Sequence, residues 1–227
     1  MLSLLLKIAL LTAATAAFSQ DVVDRIVAVV NKQVILQSEL EDAVHIDSLL
    51  QGKPQSQVTE REMDAVLDRM IDQLLVQQQI VDNSLLEPKS DEITSRIQDV
   101  RSSIPGAAAE QKWQSMLAAY GVTEQDVKKH IATQLLVLRF VDLRFRVPAR
   151  ADRAAISQYY QDTLLPELRK KGVPAPSLEQ VSDKIQRILT EQHINDLLAS
   201  WLQTLRIQAH IEKLNSGVAA AVPGADR

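Results

Sequence analysis

The chain has 227 residues, with 25 basic side chains against 29 acidic ones and no cysteine. The lack of cysteine excludes a disulfide framework, a thiol nucleophile and a thiolate metal site, so stability must come from a packed core. The mild acidity, without a basic patch, argues against nucleic acid as a partner. Few glycines and few aromatic residues favour a mainly helical protein over a β-sandwich or barrel.

The first residues have the pattern of an export signal. Residues 1–11 are apolar except for Ser3 and Lys7, and small residues follow through Ser19. This apolar run is too short to span a bilayer, and its small residues suit a signal peptidase. The sequence therefore predicts a signal peptide over residues 1–19, and no later run is long and apolar enough to predict a membrane span.

The next segment predicts a β-hairpin that leads into a helix. Ile26, Ala28 and Val30 alternate with their neighbours, and Asn31 lies at the tip, where asparagine tolerates a positive φ. Ser38 followed by Glu41 has the spacing of a capping box, which predicts a helix over 39–50.

Amphipathic helices are predicted for most of the remaining chain. Two further capping boxes begin at Thr59 and Thr123, and Ser177 caps a long C-terminal helix. The helix after Thr59 is expected to reach about Asp82. Residues 149–176 differ in composition, and Pro166 is expected to kink or end a helix there.

The last apolar stretch predicts a third strand over Ile207–Leu214. Because a lone hairpin is marginally stable in water, this strand is expected to pair with the N-terminal hairpin. The fold class is thus mainly α, with a small β-sheet made by the hairpin and the C-terminal strand. The Ala- and Pro-containing segment 216–227 is expected to be a disordered tail.

The two terminal segments carry a resemblance to a known family. Three parts of the chain together resemble SurA-type periplasmic chaperones. They are the segment Val22-Val23-Asp24-Arg25-Ile26-Val27-Ala28-Val29-Val30-Asn31, its return strand and the terminal Ala199-Ser200-Trp201-Leu202 region. The resemblance implies a helical chaperone core over 20–148 that packs against a C-terminal helix and strand over 177–215. It also implies a periplasmic location and unfolded outer-membrane proteins as clients.

One departure from the family pattern concerns the middle of the chain. Members of this family commonly carry parvulin-type prolyl isomerase domains, which need on the order of a hundred residues each. Here only the linker region 149–176 is available, and it contains no histidine or cysteine. The isomerase domain is therefore expected to be absent, and the chain is not expected to be an enzyme.

No catalytic, nucleotide-binding or metal-binding pattern stands out, so no cofactor is expected and an ATP-independent mode of action is predicted. An adaptable apolar groove suits weak binding of many clients. The candidate peptide-binding residues are Met63, Met70, Met116, Leu117 and Tyr120. An apolar stripe at helical spacing is more often the pattern of a core, and Trp113 and Trp201 are expected to be structural anchors.

Two other functions stay open at this point. One is a prolyl isomerase-related enzyme, against which the length of the linker argues. The other is a helical assembly protein that docks one fixed partner. The sequence identifies neither the clients nor the oligomeric state.

Overall fold

The N-terminal hairpin and the C-terminal strand meet in a three-stranded antiparallel sheet. The computed structural model describes residues 24–81 and 85–214. Strands β1 (Ile26–Val30) and β2 (Gln33–Leu36) form the hairpin, and β3 (Ile211–Lys213) pairs with β1, giving the order β2-β1-β3. The predicted fold class and the predicted pairing of the C-terminal strand are confirmed. The signal peptide and tail predictions lie outside the described residues.

The third strand is shorter than the prediction of Ile207–Leu214. The last helix continues through Gln208, and Ile207 is 78% exposed on its final turn. Arg206 explains the extension, because its guanidinium binds the carboxylates of Asp72 and Asp68 at 2.6 and 3.3 Å. These contacts hold the final turn against a neighbouring helix, and the strand begins only at Ile211.

A β-bulge modifies the predicted alternation in β1. Ile26 pairs with Leu36, but Ala28 already pairs with Ile35, so Val27 is an extra residue in its strand. Val27 and Ala28 are consequently both buried. Asn31 occupies the tip with a φ of 58°, as predicted for this turn.

The first two helices flank the sheet. Helix α1 runs over Gln37–Gln51 and α2 over Glu60–Gln77, with a short 3₁₀ turn at Gln55–Gln57 between them. The prediction that Ser38 caps α1 is wrong. Ser38 lies inside the first turn and bonds to Asp24, while the Glu39 carboxylate accepts the Leu36 N–H at 3.1 Å.

The capping box that begins α2 at Thr59 is confirmed, but the helix ends before the predicted Asp82. After Gln77 the chain leaves the helix, and the Gln78 amide donates to the carbonyl of Val30 at 3.3 Å. This contact ties the end of α2 to the hairpin.

Three helices follow in the middle of the chain: α3 (Ser90–Ser103), α4 (Glu110–Ala119) and α5 (Glu124–Phe145). Thr123 caps α5 in the predicted box, with Asp126 accepting its N–H at 2.8 Å. Helix α5 packs against α3, α1, α2 and the last helix, so it connects several parts of the fold.

The linker region 149–176 contains the helix expected before Pro166 and a further helix after it. Helix α6 (Arg153–Tyr159) passes through a π-helical segment, Tyr160–Leu164, into α7 (Leu165–Lys170). Pro166 was expected to kink or end this helix. A widened π turn accommodates proline, because it relieves the clash between the ring and the preceding turn. Helix α8 (Leu178–Gln208) then begins at the predicted Ser177 cap and packs against α6.

The apolar interior contains two large clusters. We call the first the sheet core; it joins the sheet, α1, α2 and the end of α8, and its buried residues are Val27, Ala28, Val30, Ile35, Leu40, Ala43, Val44, Val66, Leu67, Ile71, Leu75 and Leu205. We call the second the helical core; it joins α1, α3, α4 and α5, and its buried residues are Ile46, Leu49, Ile97, Ile104, Ala107, Trp113, Leu117, Val122, Val127 and Ile131. Smaller clusters line α8.

Candidate functional site

An open groove of about 360 Å³ lies between β2 and helices α1, α2 and α5. Each of these elements is fixed by a core on its far side. The hairpin and α2 are held by the sheet core, and the start of α5 is held by the helical core. The groove is therefore bounded by packed secondary structure, which suits a binding site that keeps its shape.

The floor of the groove is apolar. Val34 is 45% exposed, and Met70 and Leu74 are half-buried. Beneath them Ala43 and Val66 belong to the sheet core. The floor thus offers adaptable apolar contact area on a rigid base, which is the surface expected for weak binding of varied apolar segments.

Charged residues form one wall of the groove. Arg69 of α2 donates to the carboxylate of Asp47 on α1, and the Nε2 atom of His130 on α5 lies 3.8 Å from the same carboxylate. The Gln134 amide donates to His130 Nε2 at 2.8 Å, so this nitrogen acts as an acceptor on a neutral ring. Burial lowers the pKa of His130, and the Arg69 charge adds to the effect while Asp47 opposes it.

A second charged feature in the groove is a pair of carboxylates. Burial, and then the neighbouring Asp126, raise the pKa of Asp42 above its ordinary value. Asp126 itself accepts hydrogen bonds from Thr123 at the start of α5, which lowers its pKa. Among residues 24–81 and 85–214 no hydrogen bond or ion pair to Asp42 is formed, although the charges of His45 and Lys129 partly offset the rise in its pKa.

The groove offers binding chemistry more readily than catalysis. Within the part of the chain that the structure describes, no three His, Cys, Asp or Glu side chains come together as a metal site. Asp47 is already engaged by Arg69, and the imidazole of His130 accepts from an amide rather than from a nucleophile.

The five predicted peptide-binding residues do not lie together. Met70 and Met63, on the same helix, both pack half-buried against the sheet core, and of these two Met70 alone also lines the groove. Leu117 is a member of the helical core, and Met116 and Tyr120 pack against its edge. The Tyr120 hydroxyl donates to the carbonyl of Lys53 at 3.0 Å. Leu117 is thus a core residue, and Met70 is the predicted residue that lines the groove.

Several groove residues were not among the sequence predictions. Val34 lies in the return strand of the hairpin, and Asp47 and His130 lie on different helices far apart in the sequence. Only Arg69, beside Met70, could have been suspected from its position on α2. Their convergence depends on how α1, α2 and α5 pack.

Sequence comparison identifies the family. A profile of the SurA-like N-terminal domain matches residues 1–141, which is more than half of the chain. The chain belongs to the SurA-like N-terminal domain family. This domain is of the chaperone type, and no parvulin domain is matched.

A curated relative supports the same family. The Chaperone SurA of Hahella chejuensis (strain KCTC 2396) is 31% identical over 132 residues, which make up 55% of this chain and 29% of that protein. The chain therefore matches less than a third of its relative's length. Searching the described residues for a helix apolar and long enough to cross a bilayer finds none.

Proposed function

We propose that this protein is an ATP-independent periplasmic holdase that binds unfolded outer-membrane proteins. Membership of the SurA-like family supports a chaperone role. The observation that carries the proposal is the groove, because its exposed apolar floor lies on a rigid base between β2, α1, α2 and α5. The apolar start of the sequence supports export, with cleavage after Ser19.

Client binding in such a groove is expected to be weak and broad. Val34, Met70 and Leu74 would contact apolar and aromatic client side chains, which bury large areas in adaptable surroundings. A dissociation constant of about 1 μM, or roughly −8 kcal/mol, allows release without a nucleotide cycle. We also propose that the chain does not act as a prolyl isomerase.

The first experiment measures aggregation. An unfolded outer-membrane protein is diluted from urea, and its light scattering is followed with and without the mature chain, in the absence of ATP. We expect a stoichiometric delay of aggregation and no acceleration in a prolyl-peptide isomerisation assay. Unchanged scattering at a several-fold excess of the protein would refute the holdase, and tight binding to one folded partner would favour the fixed-partner alternative.

A matched pair of variants tests the groove. Met70 and Met63 are both half-buried methionines of α2, but only Met70 lines the groove. Both substitutions are expected to lower the thermal midpoint, because both side chains pack against the sheet core, but only Met70→Gln is expected to weaken holdase activity beyond that loss of stability. Equal effects of the two substitutions on binding at matched stability would contradict the groove assignment.

A further inference from the structure

The backbone of β1 shows which edge of the sheet faces the groove. Asn31 donates its N–H to the carbonyl of His210 at 2.7 Å, and Leu214 donates to the carbonyl of Val27 at 2.9 Å. Along an extended strand, the hydrogen-bonding groups of successive residues point to opposite sides. Val27, Val29 and Asn31 therefore face β3.

It follows that the even-numbered residues of β1 face β2. Ala28 pairs with Ile35, and Val30 pairs with Gln33. Val34 lies between these two partners, so its N–H and C=O point away from β1, toward the free edge of the sheet. Among the described residues no donor or acceptor is recorded on either group.

This free edge borders the groove. Gln33, Val34 and Ile35 all line it, although alternate side chains of a strand point to opposite faces of the sheet. Because the Ile35 side chain is buried in the sheet core, the lining of one groove by three consecutive residues indicates that the strand presents its backbone edge to it. The floor of the groove therefore includes an unpaired section of a β-ladder.

The charged side chains of the groove favour an occupant with a basic side chain. Asp47 is engaged by Arg69, and Asp126 caps its own helix, whereas Asp42 has no salt-bridge partner in the described ranges. Lys129 and His45 act on the partly buried Asp42 carboxylate without forming an ion pair with it, so the carboxylate can still bind a basic side chain of an occupant.

We propose that the groove binds an extended peptide strand that pairs with β2 through the N–H and C=O of Val34 and places a lysine or arginine beside Asp42. This inference rests on the proposed function and specifies its substrate class. Addition of a strand obtains affinity from main-chain hydrogen bonds, which every sequence except proline supplies. Such recognition suits a protein whose clients are future β-strands of varied sequence.

The main test uses backbone methylation of a probe peptide. The probe is a fluorescein-labelled eight-residue peptide of alternating apolar and polar residues with one lysine, and binding is measured by fluorescence anisotropy. Two versions carry N-methyl groups on alternate residues, either on the odd or on the even positions. Strand addition predicts that one version binds like the parent, while the other loses about fivefold to tenfold in affinity, the loss expected for one missing hydrogen bond. Equal affinities of the two methylated peptides would overturn the proposal.

Two substitutions at one position separate the backbone from the side chain. Val34→Pro removes the outward N–H but leaves the ladder with β1, because that N–H does not bond to β1. Val34→Ala keeps the N–H and removes only apolar contact. We expect Val34→Pro to weaken binding of the unmethylated probe more than Val34→Ala does, because only the proline variant loses the hydrogen bond that the Val34 N–H donates to a probe carbonyl. The methylated peptides report instead on the Val34 C=O, and Val34→Ala should retain the difference between them. If Val34→Pro does not fold, the peptide series on the unchanged protein still decides.

The charge preference has its own control. Replacing the lysine of the probe by norleucine is expected to weaken binding several-fold to the native protein and not to Asp42→Asn. An equal loss with both proteins would exclude Asp42 as the partner. If Val34→Pro instead turns a dimer into a monomer in sedimentation and the native protein binds no peptide, the edge pairs with a second copy and the proposal fails.

The proposed function and this inference fail separately. Delayed aggregation together with equal binding of both methylated peptides would leave the holdase intact and remove only strand addition. Absence of both peptide binding and delayed aggregation would remove the holdase as well.

Discussion

Trp113 and Trp201 lie in two regions that are held together in different ways. Trp113 is fully buried in the helical core, whose members all come from residues 46–131. Trp201 is half-buried where α8 meets both the sheet core and the smaller cluster around Phe145. The first region is held by contacts within one continuous part of the chain, and the second by contacts of the N-terminal hairpin and α2 with the end of α8.

The two cores support different parts of the groove. The helical core fixes the start of α5, which carries one wall of the groove, while the sheet core fixes β2 and α2, which carry the floor. The groove therefore depends on both regions without being the interior of either. Substitutions that weaken one region at a time can show which of them keeps the groove in shape.

The largest effect is expected for Trp113→Ala. The indole is enclosed, its Nε1 donates to the Glu124 carboxylate at 3.4 Å, and Arg101 lies 5.5 Å from the ring centroid. Loss of a buried aromatic side chain typically costs about 3–5 kcal/mol in the free energy of unfolding. Urea denaturation followed by circular dichroism measures this loss. A cost below about 1 kcal/mol would show that the helical core is not packed around this residue.

Trp201→Ala is expected to cost less, about 2–3 kcal/mol, because the ring is only partly removed from water. Its neighbours are Phe145 and Phe140, with centroids at 5.6 and 5.9 Å, and Arg144 at 4.6 Å. Trp201→Phe is the control, since it keeps an aromatic ring at the joint. A loss larger than that of Trp113→Ala in the same denaturation experiment would reverse the ranking of the two regions.

The same two regions explain what the sequence could predict. The closure of the sheet followed from the cost of an unpaired strand, and the caps at Thr59, Thr123 and Ser177 followed from local spacing. The start of β3 could not be predicted, because Arg206 extends α8 through contacts with Asp68 and Asp72, more than 130 residues away.

The candidate site was less accessible to sequence reasoning. Met70 could be selected because an apolar stripe at helical spacing is visible in the sequence, yet the same stripe selected Leu117, which is core. Val34, Asp47 and His130 carry no local signal. They become neighbours only when α1, α2 and α5 pack around β2.

The N-terminal caps of α2 and α5 allow the two regions to be compared by substitutions with smaller and equal expected effects. Thr59 begins α2 and Thr123 begins α5, each in a complete capping box. Replacing either threonine by alanine is expected to cost about 1 kcal/mol. Because the two caps share no partner, the double variant should lose the sum within about 0.5 kcal/mol. Thermal and urea unfolding of the four proteins measures this, and a clearly non-additive result would show that the two regions are coupled more strongly than their separate cores suggest.

The smallest effect concerns pH and His130, which lies where the two regions face each other across the groove. Burial lowers its pKa in the folded protein below the ordinary value of 6.5. As pH falls through 6.5 toward the lower folded pKa, the unfolded chain takes up a proton that the folded protein does not, so stability decreases. Well above 6.5 the ring is neutral in both states and contributes no pH dependence. His130→Gln should therefore lose less stability than the native protein between pH 7 and pH 5, measured by urea midpoints, with His210→Gln as the control at an exposed position outside the groove. An identical slope for His130→Gln and the native protein would show that folding leaves the pKa of His130 unchanged, and would contradict its desolvation in the groove.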